Sequence, residues 1–264
     1  MYVEQKQQVP VFFHIPKNAG TYCYHKLWSI FVTSSQSPYK CNLEVIDSRG
    51  NIAYRVIGSK NVPFGSSYQK MNNACWFRTD LESLDLYDLD VFLIEVCDIS
   101  IGSYKDEIYK KLSKSITPCE FLLLRDPYER VLSLFSYLRS AKSSHESTSG
   151  MFGDMTFIEY LNSSYLEGSW LIRGILKIPN ESPVTDTHFK QVCEILDSFL
   201  IADVADVDVL ISKVLSKCYN LKLRSTKDDG VYAHKTNNKV EQDFSSLSEQ
   251  TKAHFNSQTK WDQL

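Results

Sequence analysis

Residues 12–21 read FFHIPKNAGT, an apolar run that passes through a short loop into a helical pattern. The loop contains Lys17 and Gly20, and we expect the helix over residues 21–32. In such a strand–loop–helix unit, the loop amides and the helix N-terminus point at one position and favour an anion there. Lys17 adds a full positive charge, and Gly20 lets a phosphate approach the backbone closely. The stretch predicts an anion-binding loop; the alternative is a plain strand–turn–helix with a surface lysine.

This loop differs from the phosphate loop of ATP-hydrolysing proteins. That loop has the pattern GxxxxGK[ST], whereas Lys17 here precedes Gly20. We therefore expect no ATP-hydrolysing site, and a P-loop kinase is the least favoured class of function.

A second stretch, residues 121–133, reads FLLLRDPYERVLS. Arg125 directly follows an apolar strand pattern, and Ser133 lies inside a helix that we expect over residues 127–140. Pro127 suits the first turn of that helix, where its missing N–H group costs nothing. A guanidinium fork and a hydroxyl together suit a phosphate. The alternative is an Arg–Asp pair that caps the helix, with Ser133 merely exposed.

The alternation of strand and helix patterns predicts the fold class. Short apolar runs predict strands at residues 9–15, 53–57, 91–96, 120–124 and, most weakly, 198–202. Helical patterns lie at residues 21–32, 104–113, 127–140 and 206–218. We expect a three-layer α/β fold with a mostly parallel central sheet flanked by helices, forming a single domain over residues 1–264. Ligands of such sheets collect at the carboxyl ends of the strands.

The composition excludes several classes of protein. The chain has 264 residues, 23% of them charged and 43% hydrophobic, which is typical of a globular protein and not of a disordered, collagen-like or coiled-coil chain. Its 29 basic and 32 acidic residues give a net charge of −3, which argues against a dedicated nucleic-acid binder. A local basic pocket for a small polyanion remains compatible with that charge.

Membrane segments, metal sites and disulfides are not expected from the sequence. No apolar stretch reaches the ~18 residues of a membrane span, and the N-terminus lacks the apolar core of a secretory signal. The seven cysteines are odd in number, and none has CxxC spacing or a His neighbour at ligand spacing. We expect reduced thiols, no zinc and a cytoplasmic protein; a trimmed catalytic domain is the alternative.

Together, HIPKNAGT and LLLRDPYERVLS resemble the sulfotransferase superfamily, in particular the carbohydrate sulfotransferases of the heparan 2-O and 6-O type. Those enzymes carry HIPKTAGT-like and RDPxxRxxS motifs. The resemblance implies a P-loop-like fold and a donor, 3′-phosphoadenosine 5′-phosphosulfate (PAPS). It also implies sulfuryl transfer to a hydroxyl acceptor, here a carbohydrate, without a metal. The sequence leaves the acceptor's identity and the oligomeric state open.

The resemblance assigns roles to residues of both motifs. Lys17 would stabilise charge on the leaving oxygen, and the first loop would hold the 5′-phosphosulfate. Arg125 and Ser133 would hold the 3′-phosphate. The residues expected to contact the donor are Lys17, Asn18, Ala19, Gly20, Thr21, Tyr22, Arg125, Ser133 and Lys235.

Later segments carry a weaker resemblance. Residues 170–174, WLIRG, are similar to a family pattern N-x-x-T-R-x-L-x-G without its threonine. Residues 234–239, HKTNNK, are similar to a late loop that covers the nucleotide, and Lys235 is its candidate ligand. Residues 247–264 are similar to the family's terminal helix.

Two positions in the first motif depart from the family. The family commonly has Thr where Asn18 stands and Ser or Thr where Tyr22 stands. Position 22 therefore loses a hydroxyl that could touch the donor, whereas Asn18 can still donate from its amide. This departure keeps open a catalytically silent nucleotide-binding or interaction module.

The catalytic base is the least defined part of the site. Relatives often carry Gly-His-x-x-x-Gly after the middle strand, and the matching residues 97–102 read CDISIG, with Asp98 at the histidine's position. A carboxylate can act as base if burial raises its pKa. Glu95, which strand alternation can turn away from the site, and His25 on the first helix are the other candidates. His14 is interpreted as a packing residue at the end of its strand.

Overall fold

A computed structural model describes two compact units of the chain. The described residues are 7–33, 40–46, 48, 52–59, 67–71, 74–80, 91–97, 110, 116–139, 152, 154–221, 240 and 242–262. One unit comprises Met1–Leu124 with Asp197–Ala233, and the other comprises Arg125–Leu196 with His234–Leu264. The single domain over residues 1–264 stays a prediction.

The first unit contains the sheet. Its strands are β1 (Gln7–Phe13), β2 (Lys40–Ile46), β3 (Ile52–Ser59), β4 (Ser67–Met71), β5 (Ala74–Asp80), β6 (Val91–Val96), β7 (Ile116–Leu124) and β8 (Leu200–Asp203). Its helices are α1 (Gly20–Thr33) and α6 (Val207–Tyr219). In the order of the chain, helices α2 to α5 come between them and belong to the second unit. The strand order is β4-β5-β2-β3-β6-β1-β7-β8. Four of the seven neighbouring pairs are parallel, namely β2–β5, β6–β1, β1–β7 and β7–β8.

The structure confirms the α/β class and all five predicted strands. The four stronger apolar runs form β1, β3, β6 and β7 inside the sheet, because residues buried on both faces need no polar alternation, and the weakest run forms the edge strand β8. Three further strands, β2, β4 and β5, were not predicted. The helices predicted from residues 21, 127 and 206 are present, whereas the one at residues 104–113 lies outside the described residues except for position 110.

The sheet topology places β1 and β7 at the point where ligands usually bind. β1 pairs with β7 in parallel, with Phe13 opposite Leu122, so the carboxyl ends of both strands lie at one edge of the sheet. After β1 the chain continues to β2 on one side, and after β7 it continues to β8 on the other. In open α/β sheets this divergence of connections marks the ligand-binding crevice.

One face of the sheet carries an apolar core beneath α1 and α6. α6 packs against β1, β7 and β8, and it also contacts α1. The core residues from both helices and from the strands below them are Phe12, Cys23, Tyr24, Leu27, Ile57, Leu93, Phe121, Leu123, Leu210, Ile211, Val214 and Leu215. Burial of this surface fixes α1, and therefore the loop that precedes it, against the end of β1.

The second unit is helical. Its helices are α2 (Pro127–Arg139), α3 (Phe157–Leu161), α4 (Trp170–Leu176), α5 (Asp186–Leu196) and α7 (Glu249–Thr259). Its core is largely aromatic, with Tyr128, Phe135 and Phe157 among its buried rings. Asp262 accepts a hydrogen bond from the Leu171 amide at 3.0 Å, so residues 170–174 and 247–264, two of the three late segments with a weaker resemblance, are in contact. None of the helices in the described ranges has the length and apolarity to cross a membrane.

Candidate functional site

The loop after β1 has a backbone whose φ angles alternate in sign. Lys17 has a φ of 69° and Ala19 a φ of 54°, whereas Asn18 between them has no positive φ. Such alternation turns successive N–H groups toward one side of the chain and creates an anion-binding concavity. The first bond of α1 runs from the Cys23 amide to the Ala19 carbonyl at 3.0 Å. The amides that precede Cys23 in this helix therefore point out of its N-terminus.

Gly20 is required by its contact with His14. A Cβ atom on Gly20 would overlap the imidazole of His14 at Nε2 and Cδ2. The sequence predicts that this glycine admits a phosphate, but the structure places a histidine ring in the space that a side chain would occupy. The imidazole therefore lies against the first residue of α1.

Gly20→Ala should lower the free energy of unfolding by about 1–3 kcal/mol, because the added methyl group displaces the His14 ring. Urea denaturation at neutral pH measures this change. Ala19→Gly is the matched control at the neighbouring position: its φ of 54° suits glycine, so we expect little loss of stability. An equal loss in both variants would contradict the proposed clash.

Asn18 connects the loop to β7. Its side chain is 2% exposed, and Nδ2 donates to the Leu123 carbonyl at 2.9 Å. Its backbone amide donates to the Ile15 carbonyl at 3.2 Å. The predicted donation from Asn18 to a bound anion stays a prediction, while the observed bonds give this residue a positioning role at the divergence of β1 and β7.

Tyr22 contributes to the contact between α1 and α6. Its hydroxyl donates to Asp208 at 3.4 Å and accepts from the Lys26 ammonium at 3.3 Å. Lys26 also donates to Asp208 at 2.7 Å, so three polar side chains meet on the two helices. Tyr22 therefore has structural partners on both helices.

The remaining predicted residues of the first loop are accessible. Lys17, Ala19 and Thr21 are each half-buried. Their access to solvent is compatible with the predicted contacts to a 5′-phosphosulfate, which stay predictions.

The second motif begins where β7 ends. Arg125 Nη2 lies 3.1 Å from Glu129 Oε2, and Asp126 accepts from the Glu129 amide at 3.0 Å. Asp126 thus caps α2, which agrees with the alternative interpretation of this motif as a helix cap. Arg125 pairs with Glu129, however, and not with Asp126 as that interpretation predicts. Ser133 is half-buried in α2, and its predicted contact with a 3′-phosphate stays a prediction.

The structure describes only some of the candidates for the base. Asp98 lies outside the described residues, as does Lys235, the predicted donor ligand of the late loop. His25 is half-buried on α1, and its ring approaches that of Tyr24 edge-on at 5.8 Å. Glu95 is fully buried, so strand alternation does turn it into the protein, toward its two partners His14 and Arg55.

A row of charged side chains crosses the sheet on the face that α1 covers. Register places Glu44 opposite Arg55, and Arg55 opposite Glu95. Arg55 Nη1 donates to Glu95 Oε2 at 2.9 Å, and Arg55 Nε lies 3.6 Å from Glu44 Oε1. The other oxygen of Glu95, Oε1, lies 2.7 Å from His14 Nδ1. We name these four residues, including His14 at the end, the ionic row.

The ionic row determines the charge on Glu95. Burial raises the pKa of its carboxyl group, but the hydrogen bonds and charges of His14 and Arg55 outweigh burial, and the net pKa is lowered. The lowered pKa favours the ionised form of the Glu95 carboxylate. Single charged residues within otherwise apolar strands, such as Glu95 in VFLIEV, were the sequence signal for this row.

Metal ligands and reactive thiols do not cluster around the described loop. Across the described ranges, His, Cys, Asp and Glu side chains form no group of three or more that could hold a metal ion. Burial and the Glu95 charge raise the pKa of Cys97 well above 9.0. Burial likewise raises the pKa of the Cys23 thiol. Both cysteines are therefore protonated and poor nucleophiles.

The second unit contains a cavity of about 480 Å³ that sequence reasoning did not find. It lies between the start of α2 and the segment before and within α7. Its lining residues are Asp126, Pro127, Tyr128, Glu129, Gln242, Asp243, Phe244, Phe255 and Asn256. The described part of the lining combines aromatic rings with carboxylates and amides, and none of these described side chains is basic.

Comparison with models of protein families, with curated proteins and with solved structures finds no match for this chain. A function for this protein is therefore argued from the geometry of the site and from its sequence motifs.

Proposed function

We propose that the protein is a PAPS-dependent sulfotransferase with a three-layer, P-loop-like fold, which transfers a sulfuryl group to a carbohydrate hydroxyl. The observation that carries the proposal is the loop after β1. It combines alternating φ angles, a helix N-terminus and Lys17 at the divergence of β1 and β7. The motif resemblance supplies the identity of the anion.

The backbone of the loop after β1 is strained, which supports a binding role. Two non-glycine residues, Lys17 and Ala19, adopt left-handed φ angles, and each costs about 1–3 kcal/mol. Strained backbone of this kind is concentrated at binding and catalytic sites. The 14 residues of α1 add a helix dipole whose positive end faces the same loop. The 5′-phosphosulfate of the donor suits this concavity, with Lys17 at the leaving oxygen.

Arg125 and Ser133 are the proposed ligands of the 3′-phosphate. The pair between Arg125 and Glu129 is weak, because their side chains are 23% and 49% exposed. A phosphate can replace the Glu129 carboxylate, since a doubly charged anion forms stronger bidentate bonds with a guanidinium. The existing pair with Glu129 is therefore compatible with ligand binding at Arg125.

The motif resemblance is the basis for a carbohydrate as acceptor. Within the second unit, the cavity has aromatic rings such as Phe244 that offer an apolar face for a sugar ring, while Asp243 and Gln242 offer hydrogen-bond acceptors for hydroxyl groups. Three carboxylates in the lining disfavour a polyanionic ligand in that cavity.

A catalytically silent nucleotide-binding module is the second candidate. It is favoured by Tyr22, whose hydroxyl is bonded to Asp208 and Lys26 at the position where relatives have a small hydroxyl residue. Such a module would bind 3′,5′-ADP and PAPS but would not consume PAPS. Release of labelled sulfate from PAPS separates this candidate from the enzyme.

A thermal-shift assay tests donor recognition. We expect 3′,5′-ADP to raise the melting temperature without any metal, by the equivalent of about 2.7 kcal/mol at 100 times its Kd. 5′-AMP, which lacks the 3′-phosphate, should be much weaker because it cannot engage Arg125. Stabilisation only by ATP with Mg²⁺ would overturn the proposal in favour of a kinase-like protein.

A further inference from the structure

His14 has a defined orientation that its place in the sequence does not reveal. Its Nδ1 lies 2.7 Å from Glu95 Oε1, and the backbone amide of His14 donates to the Val96 carbonyl at 2.9 Å. Its ring stacks on that of Phe12 at 5.8 Å. The other ring nitrogen, Nε2, lies against Gly20, where a side chain would overlap it. The imidazole is therefore held from both sides at the start of α1.

The Glu95 carboxylate selects one tautomer of His14. An ionised carboxylate can only accept hydrogen bonds, so the Nδ1 atom of His14 carries the proton. In the neutral ring Nε2 then has a free electron pair and can accept a proton. A carboxylate that orients a histidine in this way is a recurrent device of general-base catalysis. Arg55 extends the support, because it holds Glu95 in place and balances its charge, while Glu44 lies 3.6 Å from the Nε atom of Arg55.

The position of Nε2 matches a role in sulfuryl transfer. The side chain of His14 is 20% exposed although Glu95 is fully buried, so one part of the ring reaches solvent. Nε2 lies beside the first residue of α1, where the loop amides and Lys17 would bind the phosphosulfate. Neither Asp98 nor any other carboxylate is needed at that position if His14 accepts the proton.

We propose that His14, oriented by Glu95, is the general base that accepts the proton of the acceptor hydroxyl; this inference rests on the proposed sulfotransferase function. The acceptor oxygen bonds to sulfur while its O–H bond breaks, and the proton passes to Nε2. The bond between sulfur and the bridging oxygen breaks, and its electron pair leaves with 3′-phosphoadenosine 5′-phosphate. The ionised Glu95 stabilises the imidazolium that forms.

The proposal predicts a rate that depends on pH. The groups facing or neighbouring His14 are Glu95 from β6, Arg55 from β3, Glu44 behind it on β2, Tyr24 from α1, Cys97 at the end of β6 and Lys17 in the loop. Tyr24 and Cys97 both have raised pKa values, from burial first and from the Glu95 charge second, and so remain neutral near pH 7. General-base catalysis requires an unprotonated Nε2 on His14, so the proposal predicts a rate that rises with pH.

The test uses water as the acceptor, because release of labelled sulfate from PAPS needs no identified sugar. His14→Asn fits the space beside Gly20 and keeps a donor for Glu95 but lacks a base. We expect it to lower the rate at saturating PAPS by about 10²–10⁴-fold and to leave the Kd of 3′,5′-ADP unchanged. His254→Asn, a half-buried histidine of α7, is the matched control and should keep the wild-type rate.

A second measurement does not depend on the folding of a variant. The imidazole nitrogens of wild-type His14 can be titrated by ¹⁵N NMR, and we expect the Nδ1–H tautomer at high pH. The rate of sulfate release should rise with pH along the same titration curve. A different tautomer, or a rate midpoint that departs from the His14 titration, would overturn the base assignment.

The failures of the two proposals can be told apart. If the wild type binds 3′,5′-ADP and releases sulfate but His14→Asn keeps its rate, His14 is not the base. If the rate and the 3′,5′-ADP affinity fall in proportion, His14 binds the donor instead, and the inference is again wrong. If the wild type neither binds 3′,5′-ADP nor consumes PAPS, the sulfotransferase function fails, and the inference fails with it.

Discussion

Replacing Arg55 by leucine is expected to lower the free energy of unfolding by about 3–5 kcal/mol. Glu95 is fully buried, and Arg55 is the permanent cation that neutralises it, through a bond of 2.9 Å. Loss of the guanidinium removes the permanent cation beside this buried carboxylate and leaves it with the His14 imidazole, and it also removes one partner of Glu44. Urea denaturation monitored by circular dichroism at neutral pH measures the change.

Lys26→Met is the matched control for Arg55→Leu. Lys26 also pairs with a carboxylate at 2.7 Å, but that carboxylate, Asp208, is 60% exposed. Water can solvate Asp208 after the substitution, so we expect a loss below about 1 kcal/mol. If the free energy of unfolding falls by the same amount in both variants, the buried ionic row stabilises this unit no more than an exposed ion pair does.

The lowered pKa of Glu95 also determines how the free energy of unfolding changes at acidic pH. Because the pKa of Glu95 is lowered below 4.5 in the folded protein, its contribution to stability is fully present above that pH. The contribution is lost as the pH falls through the lowered value. In Arg55→Leu one of the two influences that lower this pKa is gone, so acid unfolding should begin at a higher pH than in the wild type.

Lys17→Ala is expected to lower the rate of sulfuryl transfer by about 10²–10³-fold. Negative charge develops on the bridging oxygen only as the bond to sulfur breaks, so a cation at that point stabilises the transition state more than the bound donor. The affinity for 3′,5′-ADP, which has no sulfuryl group, should fall much less. Single-turnover transfer and isothermal titration measure the two quantities.

Lys213→Ala removes the same charge from an exposed position on α6 and serves as the control for Lys17→Ala. It should change neither the rate nor the affinity. Equal losses of rate and of 3′,5′-ADP affinity in Lys17→Ala would assign to Lys17 a binding role alone.

The elements that could be predicted are those whose sequence reflects one clear requirement, such as burial on both faces of the sheet or a proline in the first turn of a helix. The runs in β1, β6 and β7 are apolar because both faces are covered, and Pro127 marks the first turn of α2. β4, with the sequence SYQKM, has no apolar run, because a strand at the edge of the sheet need not be buried on both faces. Its pairing with β5 depends on contacts that its own sequence does not encode.

The strand–loop–helix unit of the candidate site was predictable, but its polar contacts were not. The apolar run before Lys17 and the helical pattern after Gly20 predict the unit, and the anion that its loop would bind stays a prediction. The partnership of His14 with Glu95 joins residues 81 positions apart, and it depends on the parallel register of β1 and β6. A histidine at the end of an apolar strand is therefore interpreted as packing unless that register is known.

Labelled-sulfate transfer from PAPS tests the central claim most directly. The purified protein is incubated with ³⁵S-labelled PAPS and a panel of neutral sugars, amino sugars, phenols and tyrosine peptides, without added metal. We predict a labelled sugar, made at a rate that Lys17→Ala reduces and Lys213→Ala does not. Labelled product from none of these acceptors, together with no release of sulfate to water, would contradict the assignment as a sulfotransferase.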